Sequence, residues 1–336
     1  MRELLEKLCK IPAVSGREDK IRDFIINEVS PFAECTVDKL GNIICFKKGE
    51  KASVKKVMVD AHMDEVGIIA TSITQDGFIK FSTVGGIDAS VMLCRSVRFE
   101  NGVVGVIGAK PVHLSLAEER KKYIPTDKLY IDIGAKDKAC AEKLINIGNT
   151  AVFESDVAFM GNRIKARSID DRAGVATLIR LLCQPSEYDF YATFSVQEEI
   201  GCRGAGTASF SVDPDFAIVL EATTAADLHG VSEEDRVCVL GDGPAISFMD
   251  KATLYDRKLF EAVKDTGLKY QIKSKVAGGN NSGAIHLAKC GVPTLALSLP
   301  CRYIHSPSCV ADLNDLDDMF ILAQKMINNI ASGQIK

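Results

Sequence analysis

Apolar residues recur with two different periods along this chain, and segments of the two kinds alternate at both of its ends. An apolar residue every three or four positions predicts an amphipathic helix, and a short continuous apolar run predicts a buried strand. The predicted helices include "REDKIRDFIINEV", "DRAGVATLIRLLC" and "LNDLDDMFILAQKMINNIAS", and the predicted strands include "NIICFKK", "KKVMVDAHM", "FYATFSV", "FAIVLEA" and "VPTLALSLP". Ser15 and Glu18 have the spacing of a capping box ahead of the first of these helices. The alternation predicts an α/β fold with a mixed, largely parallel sheet and helices on both of its faces.

The segment from about residue 70 to 165 has a different pattern. Short β-rich runs such as "SVRFENGVVGVIGAK" and "KLYIDIGAK" are broken by Gly, Asn and Asp turns, with one helical piece at "KDKACAEKLINIG". We therefore predict a small β-barrel-like domain at 70–165. It would be inserted into a larger α/β domain that comprises residues 1–69 and 166–336.

Composition excludes several classes of function. The 336 residues carry a formal net charge of −4, so the chain lacks the basic surface of a nucleic-acid-binding protein. No run of about 18 apolar residues could span a membrane, and the first residues predict an amphipathic helix rather than a signal peptide. The eleven cysteines are scattered without a C-x-x-C pair, which is typical of reduced thiols and not of a disulfide framework. These features predict a cytoplasmic protein without nucleic-acid or membrane partners.

Residues that bind metals or transfer protons follow several of the predicted strands or precede a predicted helix. They are His62, Asp64 and Glu65, Asp170 and Asp171, Glu198 and Glu199, Glu221, and His305. Ligand sites of open α/β sheets form outside the carboxyl ends of the strands, so we expect these side chains to lie close together.

Histidine and carboxylate groups without cysteine favour a hydrolytic Zn, Co or Mn site over a structural zinc site. Two histidines and three or four carboxylates exceed the needs of one catalytic metal, and they suit two metals about 3.5–4 Å apart that share a bridging carboxylate. Glu198 and Glu199 are adjacent, so one of them can bind a metal while its neighbour stays unligated and exchanges protons as a general base. The pattern predicts a dinuclear metal-dependent hydrolase.

Five motifs carry a resemblance to a known family. "AHMDEVG", "IDDRAG", "VQEEIGCRGAG", "GAIHLAKCGVPT" and "RYIHSP", in this order and over essentially the whole chain, resemble the M42 family of metallo-aminopeptidases. The resemblance implies an enzyme that releases amino-terminal residues from peptides with two divalent metal ions per subunit, zinc or cobalt being favoured. It also implies that the inserted domain mediates dimerisation and that the dimers can build a tetrahedral dodecamer.

The same resemblance implies a role for each candidate residue. The metal ligands would be His62, Asp170, Glu199, Glu221 and His305, with Asp170 shared by both metals and Glu221 on the metal of His62. Glu198 would be the general base, and Asp64 would orient the imidazole of His62. The peptide bond between Asp170 and Asp171 would be cis.

Two positions depart from the family pattern. Glu221 stands where the aminopeptidases have Asp, and related carboxypeptidase-type enzymes also have Glu at this position. Asn280 and Asn281 change the family's usual "GGTDAGAIH" to "GGNNSGAIH". These departures leave a related metal amidohydrolase or carboxypeptidase-like enzyme as an alternative. A further alternative is an assembly protein that keeps the fold with little activity.

Overall fold

The computed structural model describes residues 1–114 and 124–335, so residues 115–123 of the predicted insert lie outside the described residues. The described chain forms one large sheet with helices on both faces and one small closed barrel. The strands are β1 (Glu34–Val37), β2 (Ile43–Lys47), β3 (Val57–His62), β4 (Gly67–Ile73), β5 (Ile79–Val84), β6 (Ser96–Phe99), β7 (Val104–Gly108), β8 (Tyr130–Asp132), β9 (Thr150–Phe153), β10 (Ala158–Met160), β11 (Arg163–Ala166), β12 (Phe190–Ser195), β13 (Phe216–Thr224), β14 (Ala245–Ile246), β15 (Gln271–Ile272), β16 (Thr294–Arg302) and β17 (Cys309–Asp312). The helices are α1 (Arg2–Lys10), α2 (Asp19–Val29), α3 (Lys138–Ala141), α4 (Ile169–Cys183), α5 (Arg203–Val212), α6 (Arg257–Lys264), α7 (Ser282–Ile285) and α8 (Leu313–Ala331).

The large sheet is parallel at its centre and antiparallel on both flanks. Its main row of strands has the order β1-β2-β12-β3-β13-β16-β17-β11-β10. Along this row the neighbours among β12, β3, β13 and β16 pair in parallel, and the other neighbours are antiparallel. The flanking hairpins have short connections, which can join only antiparallel strands. The predicted α/β fold with a mixed sheet is confirmed, whereas a largely parallel arrangement holds only for the central strands.

Alternate residues of the central strands pack against different helices. Val57, Val59 and Ala61 of β3 lie in the main core, to which α1, α2, α4 and α8 contribute. Met58 lies between them in sequence and belongs to a smaller core with residues of α5 and α7. This alternation is the two-residue period of a strand that is buried on both faces. None of the described helices is long and apolar enough to span a membrane.

The barrel consists of the strands β4-β5-β8-β7-β6-β9, and all of its strand pairs are antiparallel. It has its own buried core, which includes Ile68, Phe81 and Ile131. The predicted border at residue 165 is wrong, because β10 and β11 pair with the large sheet through β17. The strands of the barrel therefore run from Gly67 to Phe153. In the sequence, the hairpin of β10 and β11 has the same β-rich, glycine-broken pattern as the barrel hairpins. The pattern therefore does not indicate that this hairpin pairs with the large sheet.

Two cysteines form a disulfide, which corrects the expectation of reduced thiols throughout the chain. Cys35 of β1 and Cys45 of β2 are bonded to each other, and the other nine cysteines are free. The antiparallel register places the two residues directly opposite one another, with their Cα atoms 4.1 Å apart. The sequence shows only their separation of ten positions, and the pairing depends on a strand register that this separation does not determine.

Candidate metal centre

The four parallel strands at the centre of the sheet bring the predicted ligands to one edge. His62 is the last residue of β3, and the parallel register sets it beside Ser195 at the end of β12. Glu198 and Glu199 follow β12 directly, Glu221 lies near the end of β13, and His305 follows β16. Because these strands run in the same direction, their carboxyl ends meet at this edge. The fifth candidate ligand, Asp170, comes from the first turn of α4.

Asp170 lies between the two histidines. Its Oδ1 atom is 3.2 Å from Nε2 of His62, and its Oδ2 atom is 3.2 Å from Nε2 of His305. Among the described residues, the Nε2 atom of each histidine has one further carboxylate neighbour within 4 Å. Oε1 of Glu221 is 3.4 Å from Nε2 of His62, and Oε2 of Glu199 is 3.3 Å from Nε2 of His305. The geometry thus contains two groups of ligand atoms that share one aspartate.

Asp171 is a second aspartate at the centre, and the sequence predicts no ligand role for it. The peptide bond between Asp170 and Asp171 is cis, as the resemblance implies. Asp171 is fully buried, and its Oδ1 atom accepts a hydrogen bond from the backbone N–H of Gly174 at 2.8 Å. One oxygen of Asp171, one of Glu221 and a ring nitrogen of His62 lie within 4.8 Å of one another. The signal in the sequence is the doublet itself, which offers a second carboxylate beside the bridging one.

Asp64 connects the two glutamates to His62. Its Oδ1 atom lies 3.3 Å from Nδ1 of His62 and accepts a hydrogen bond from the backbone N–H of Glu198 at 3.0 Å. Its Oδ2 atom accepts hydrogen bonds from the backbone N–H of Glu199 at 3.1 Å and from the Ser15 hydroxyl at 2.6 Å. Asp64 is fully buried. Burial raises its pKa, but the interactions with His62 and the hydrogen bonds lower it more, so the pKa is below its ordinary value.

The predicted capping box at the start of α2 is wrong, because both of its residues have other partners. The Ser15 hydroxyl donates to Asp64, as described above. Glu18 accepts hydrogen bonds from the backbone N–H groups of Gly16 and Gln197 through its Oε1 atom. Glu18 occupies the cap position of α2 without a side-chain capping bond. The residues of the apparent box therefore support the loops at the edge of the sheet.

A backbone group next to a barrel strand contacts the centre. The backbone carbonyl of Gly86, just after β5, lies 2.8 Å from Nδ1 of His305. The preceding Gly85 has a φ of +80°, and a Cβ atom there would lie 2.8 Å from a methyl group of Val66 and 3.3 Å from Cβ of Glu199. The turn therefore requires glycine both for its backbone angle and for its close approach to the ligand loop. The sequence cannot reveal this contact, because the group involved is a backbone carbonyl.

Glu65, which follows Asp64 after the end of β3, is not part of the ligand cluster. Its carboxylate lies 2.5 Å from Nη1 of Arg167 and 3.5 Å from Nη2 of Arg172. Its Oε1 atom also accepts a hydrogen bond from the backbone N–H of Ala13 at 2.9 Å. All three charged side chains are at least nine-tenths buried. Breaking a buried ion pair of this kind costs several kcal/mol, so we assign Glu65 a structural role.

Buried negative charge dominates the electrostatics of the cluster. Burial raises the pKa of Glu199 and of Glu221 well above 4.5, and Asp170 raises them further. Burial alone would lower the pKa of the histidines, but the carboxylates raise it by more, to about 10 for His305 and well above 6.5 for His62. For Asp170, burial raises the pKa, but the hydrogen bonds to both histidines lower it below its usual range. Metal ligands must be deprotonated, so binding of divalent cations here would compete with protonation of these groups.

The residues present fit a pair of divalent metal ions. Oδ2 of Asp171 and Oε1 of Glu199 are buried and accept no hydrogen bond within the described part of the chain. Such acceptor atoms require an explanation, and a bound cation supplies one. A second group of ligand atoms within 4.8 Å of one another comes from His62, Asp170 and Glu199. Imidazole and carboxylate ligands without thiolates suit zinc or cobalt in a hydrolytic site.

Glu198 lies beside the cluster but outside its ion pairs. Together with four of the five candidate ligands (Asp170, Glu199, Glu221 and His305) it lines a cavity of about 190 Å³ at the edge of the sheet. Within the described part of the chain, no charged nitrogen lies within 4.0 Å of its carboxylate; its Oε1 atom accepts a hydrogen bond from the Cys202 thiol at 3.3 Å. Burial raises the pKa of Glu198, and the nearby Asp170 and Asp64 carboxylates raise it further, although His62 lowers it. A carboxylate in this position can exchange protons with a molecule in the cavity.

Comparison with known proteins gives concordant results. Residues 41–322 match the family model described as M42 glutamyl aminopeptidase. The chain is 33% identical to the lysyl aminopeptidase of Pyrococcus furiosus, over 98% of this chain and 97% of that protein. It also resembles the structure of an aminopeptidase, APDkam598, from the archaeon Desulfurococcus kamchatkensis, with a TM-score of 0.90, 34% identity and coverage of 99% of this chain and 98% of that chain.

Another similar structure is that of the TET1 peptidase of Pyrococcus horikoshii, which can assemble into a tetrahedron or a large octahedral shell. Here the TM-score is 0.84 and the identity 35%, over 98% of this chain and 99% of that chain. These similarities extend over nearly the whole chain. The matched segment 41–322 includes every residue of the cluster from His62 to His305.

Proposed function

This chain belongs to the M42 peptidase family, and we propose that it releases amino-terminal residues from peptides with two divalent metal ions and Glu198 as the general base. It is an enzyme that hydrolyses peptide bonds, an aminopeptidase. The observation that carries the two-metal proposal is the position of Asp170, whose two oxygen atoms lie 3.2 Å from His62 and from His305, respectively. A carboxylate with one oxygen toward each of two ligand groups is the bridge that a dinuclear site needs.

His62 and Glu221 would hold one metal, with Asp171 near them, and Glu199 and His305 would hold the other. Asp170 would be the ligand common to both. The donor set favours zinc or cobalt. When bound, such metals polarise a carbonyl group and make water more acidic, which is the Lewis-acid chemistry that amide hydrolysis requires.

The side chains of this chain supply the positioning and the proton transfer. Asp64 holds the His62 ring from the Nδ1 side, and the Gly86 carbonyl holds the His305 ring from its Nδ1 side, so both Nε2 atoms face Asp170. Glu198 would take a proton from the attacking water and return it to the leaving amine. Its raised pKa suits both steps, because the carboxyl group must be deprotonated first and protonated afterwards.

A pair of isosteric variants tests these roles. Glu198→Gln should lower kcat by roughly 10²–10⁴-fold and leave two metals bound, since it removes a base and no ligand. Glu199→Gln should lose metal, because the amide replaces a charged ligand. Metal content would be measured by elemental analysis, and hydrolysis with aminoacyl p-nitroanilides. The reverse outcome, with metal lost in the Glu198 variant and retained in the Glu199 variant, would exchange the two assignments.

A peptide panel separates this function from the amidohydrolase or carboxypeptidase-like alternative that Glu221 raises. An aminopeptidase requires a free amino terminus, so N-acetylated peptides should not be cleaved while peptides with an amidated carboxyl terminus should be. A carboxypeptidase would show the opposite pattern. The preferred amino-terminal residue is left open by the family, because its description names glutamyl substrates and one relative is named a lysyl aminopeptidase.

We also propose that the protein acts as a homo-oligomer assembled through the barrel. The similarity to TET1 supports assembly, and Val104, Val106, Leu144 and Ile147 are exposed apolar residues in or beside the barrel. Assembly through the barrel would bury these side chains, which are otherwise left in contact with water. Light scattering gives the particle mass, and a monomer at micromolar concentration would contradict this assignment. A cytoplasmic location stays a prediction from the sequence.

A further inference from the structure

A second buried polar cluster lies next to His62, on the face of β3 that packs against α5 and α7. Asp60 is two positions before His62 and two after Met58, so these three side chains lie on the same face of the strand. Asp60 is fully buried, and within the described part of the chain no lysine, arginine or histidine nitrogen lies within 4.0 Å of its carboxylate. A buried carboxylate without a cationic partner requires hydrogen bonds. The proposed mechanism gives this residue no role.

Hydroxyl and amide groups supply the hydrogen bonds to Asp60. Its Oδ1 atom accepts from the Thr193 hydroxyl at 2.5 Å. Its Oδ2 atom accepts from the Ser195 hydroxyl at 3.1 Å and from the side-chain amide of Asn281 at 2.8 Å. Thr193 and Ser195 belong to β12, which leads to the adjacent glutamates, and Asn281 directly precedes α7. The cluster therefore joins two strands that carry candidate ligands at their ends to the start of α7.

Asn281 cannot be exchanged for an acid without disturbing this cluster. Its amide group has two N–H donors, which meet Oδ2 of Asp60 and, at 2.8 Å, the Ser195 hydroxyl. An aspartate at this position would have no such donors and would place a second carboxylate against Asp60. Two charged carboxylates in contact within a buried site repel each other strongly. Asp60 thus gives a physical reason for the asparagine, one of the two that change "GGTDAGAIH" to "GGNNSGAIH".

Asn281 also ends a loop that lines the cavity. The cavity beside the candidate ligands is lined by Lys273 and by the loop 277–280, among other residues. The amide of Asn281, the next residue of the chain, attaches this loop to Asp60 in β3. Because β3 ends in His62, one hydrogen bond connects the loop to the strand of a candidate ligand.

The loop itself has little that would fix its position. Gly278 has a φ of +70°, and no atom lies within 4 Å of the position that a Cβ atom would take there. Gly279 is the next residue, and successive glycines leave a backbone more freedom than other residues do. The carbonyl groups of the loop accept only from outside it: Nζ of Lys273 donates to Ala277 and the backbone N–H of Lys251 donates to Gly278, both at 2.9 Å. The position of the loop therefore depends on such anchors, of which the contact of Asn281 with Asp60 is buried most deeply.

We propose that Asp60 and Asn281 are positioning residues, whose mutual hydrogen bond holds the loop 277–280 at the distance from the metal ligands that the substrate requires. This inference rests on the proposed function, because it requires that substrate occupies the cavity beside the ligands. Both residues lie outside the set of described residues that line this cavity, so they act through the loop. Misplacement of a substrate-positioning group by about 1 Å can cost about 10²-fold in rate.

The experiment exchanges the acid and the amide in two steps. Asn281→Asp places two carboxylates in contact, so KM for aminoacyl p-nitroanilides should rise roughly 10-fold while both metals stay bound. Asp60→Asn keeps one oxygen that can accept from Asn281, so it should change KM less than about 3-fold. In the double variant the amide at position 60 donates to the carboxylate at position 281. Its KM should therefore return to within about 3-fold of the wild-type value, which is far from the sum of the single effects.

Two further variants complete the comparison. Asn281→Ala removes the anchor without adding charge and should also raise KM, so it tests the proposal if Asn281→Asp fails to fold. Asn42→Asp is the matched control: Asn42 is fully buried and donates to Oδ2 of Asp38 at 2.6 Å, but it is not among the described residues that line the cavity. It should lower the free energy of unfolding and leave KM unchanged. KM is the decisive quantity, because an unfolded fraction lowers the apparent kcat without changing KM.

The outcomes separate this inference from the proposed function. If the metal-loaded wild type cleaves none of the aminoacyl substrates, the proposed function itself fails. If it cleaves them, and both Asn281 variants keep the wild-type KM, only the positioning role is refuted. The role is also refuted if the double variant is as impaired as Asn281→Asp, or if Asn42→Asp raises KM equally. Loss of metal from Asn281→Asp, measured by elemental analysis, would show that the pair supports the ligand strand and not the loop, which overturns the proposal.

Discussion

Replacement of Asp64 by Asn tests how the two glutamates and His62 are held together. Asp64 accepts hydrogen bonds on both oxygen atoms from Glu198, Glu199 and Ser15, and its Oδ1 atom lies 3.3 Å from His62. An asparagine has one acceptor oxygen, so its NH₂ group must face either the Glu198 side or the Glu199 side. The disturbance is smaller when the NH₂ group faces Glu199. The Ser15 hydroxyl can then accept a hydrogen bond from it, and only the Glu199 N–H loses its acceptor.

The expected loss of stability in Asp64→Asn follows from the number of hydrogen bonds that the substitution affects. One buried N–H without an acceptor costs about 1–3 kcal/mol, and the loss of charge on the remaining bonds adds about 1 kcal/mol. We therefore expect Asp64→Asn to lower the free energy of unfolding by about 3 kcal/mol. Ser15→Ala, which removes only one donor to the same carboxylate, should cost about 1 kcal/mol. Disturbing the partner of a ligand histidine should also weaken metal binding by roughly 10- to 100-fold.

Urea unfolding of the metal-free proteins measures the loss of stability, and competitive titration with a chelating dye measures the loss of metal affinity. Ser15→Ala is the control, because it leaves the contacts of Asp64 with His62 and with both backbone N–H groups in place. Equal losses of stability in the two variants would contradict the connecting role of Asp64. Unchanged metal affinity in Asp64→Asn would show that its contact with His62 does not position the ring.

Two further predictions concern single carboxylates. Burial raises the pKa of Glu18 to about 6 from 4.5, so the folded state binds this proton more tightly than the unfolded state and the contribution of Glu18 to stability falls as the pH rises from about 4.5 to 6. Glu18→Gln keeps the oxygen that accepts both backbone N–H groups. In urea unfolding, the free energy of unfolding of this variant should exceed that of the wild type by about 2 kcal/mol at pH 7 and equal it at pH 4. Equal differences in this free energy at both pH values would refute the assigned pKa. Glu221→Asp shortens the side chain by about 1.5 Å, whereas metal–oxygen distances tolerate about 0.2 Å, so metal titration should show one weakened site and one unchanged site; two unchanged sites would remove Glu221 from the ligand set.

The place where the candidate ligands meet could be predicted from the sequence because it depends on strand direction. Polar residues after "KKVMVDAHM", "FYATFSV" and "VPTLALSLP" meet only if those strands are parallel, and the alternation with helices indicates that they are. The structure brings His62, Glu199 and His305 to one edge on that basis. Loop lengths and exact registers are not needed for this conclusion.

The surroundings of the centre could not be predicted, because they depend on contacts between distant segments. Ser15 has the local signature of a helix cap, yet its hydroxyl binds Asp64, 49 positions away. The Gly86 carbonyl that holds His305 is a backbone group, which every residue carries. Lys273 lies in the predicted strand "KYQIKSK", whose alternating polar residues indicate a solvated face. Its place in the cavity wall follows from the pairing of two very short strands with the main sheet.

The adjacent glutamates show why residue type alone leaves the roles undecided and how the fold gives the two residues different surroundings. Glu198 and Glu199 have the same side chain, and the sequence indicates only that one is a ligand and the other a base. In the structure, the two oxygens of Asp64 accept their two backbone N–H groups, which fixes the backbone of both residues next to His62. From this anchor the side chains diverge: Glu199 reaches His305 at 3.3 Å, and Glu198 reaches the cavity and the Cys202 thiol. In the proposed mechanism, one buried carboxylate thereby orients a histidine and separates the proposed ligand from the proposed base. We therefore expect these three functions to be disturbed together when Asp64 is changed and separately when either glutamate is changed.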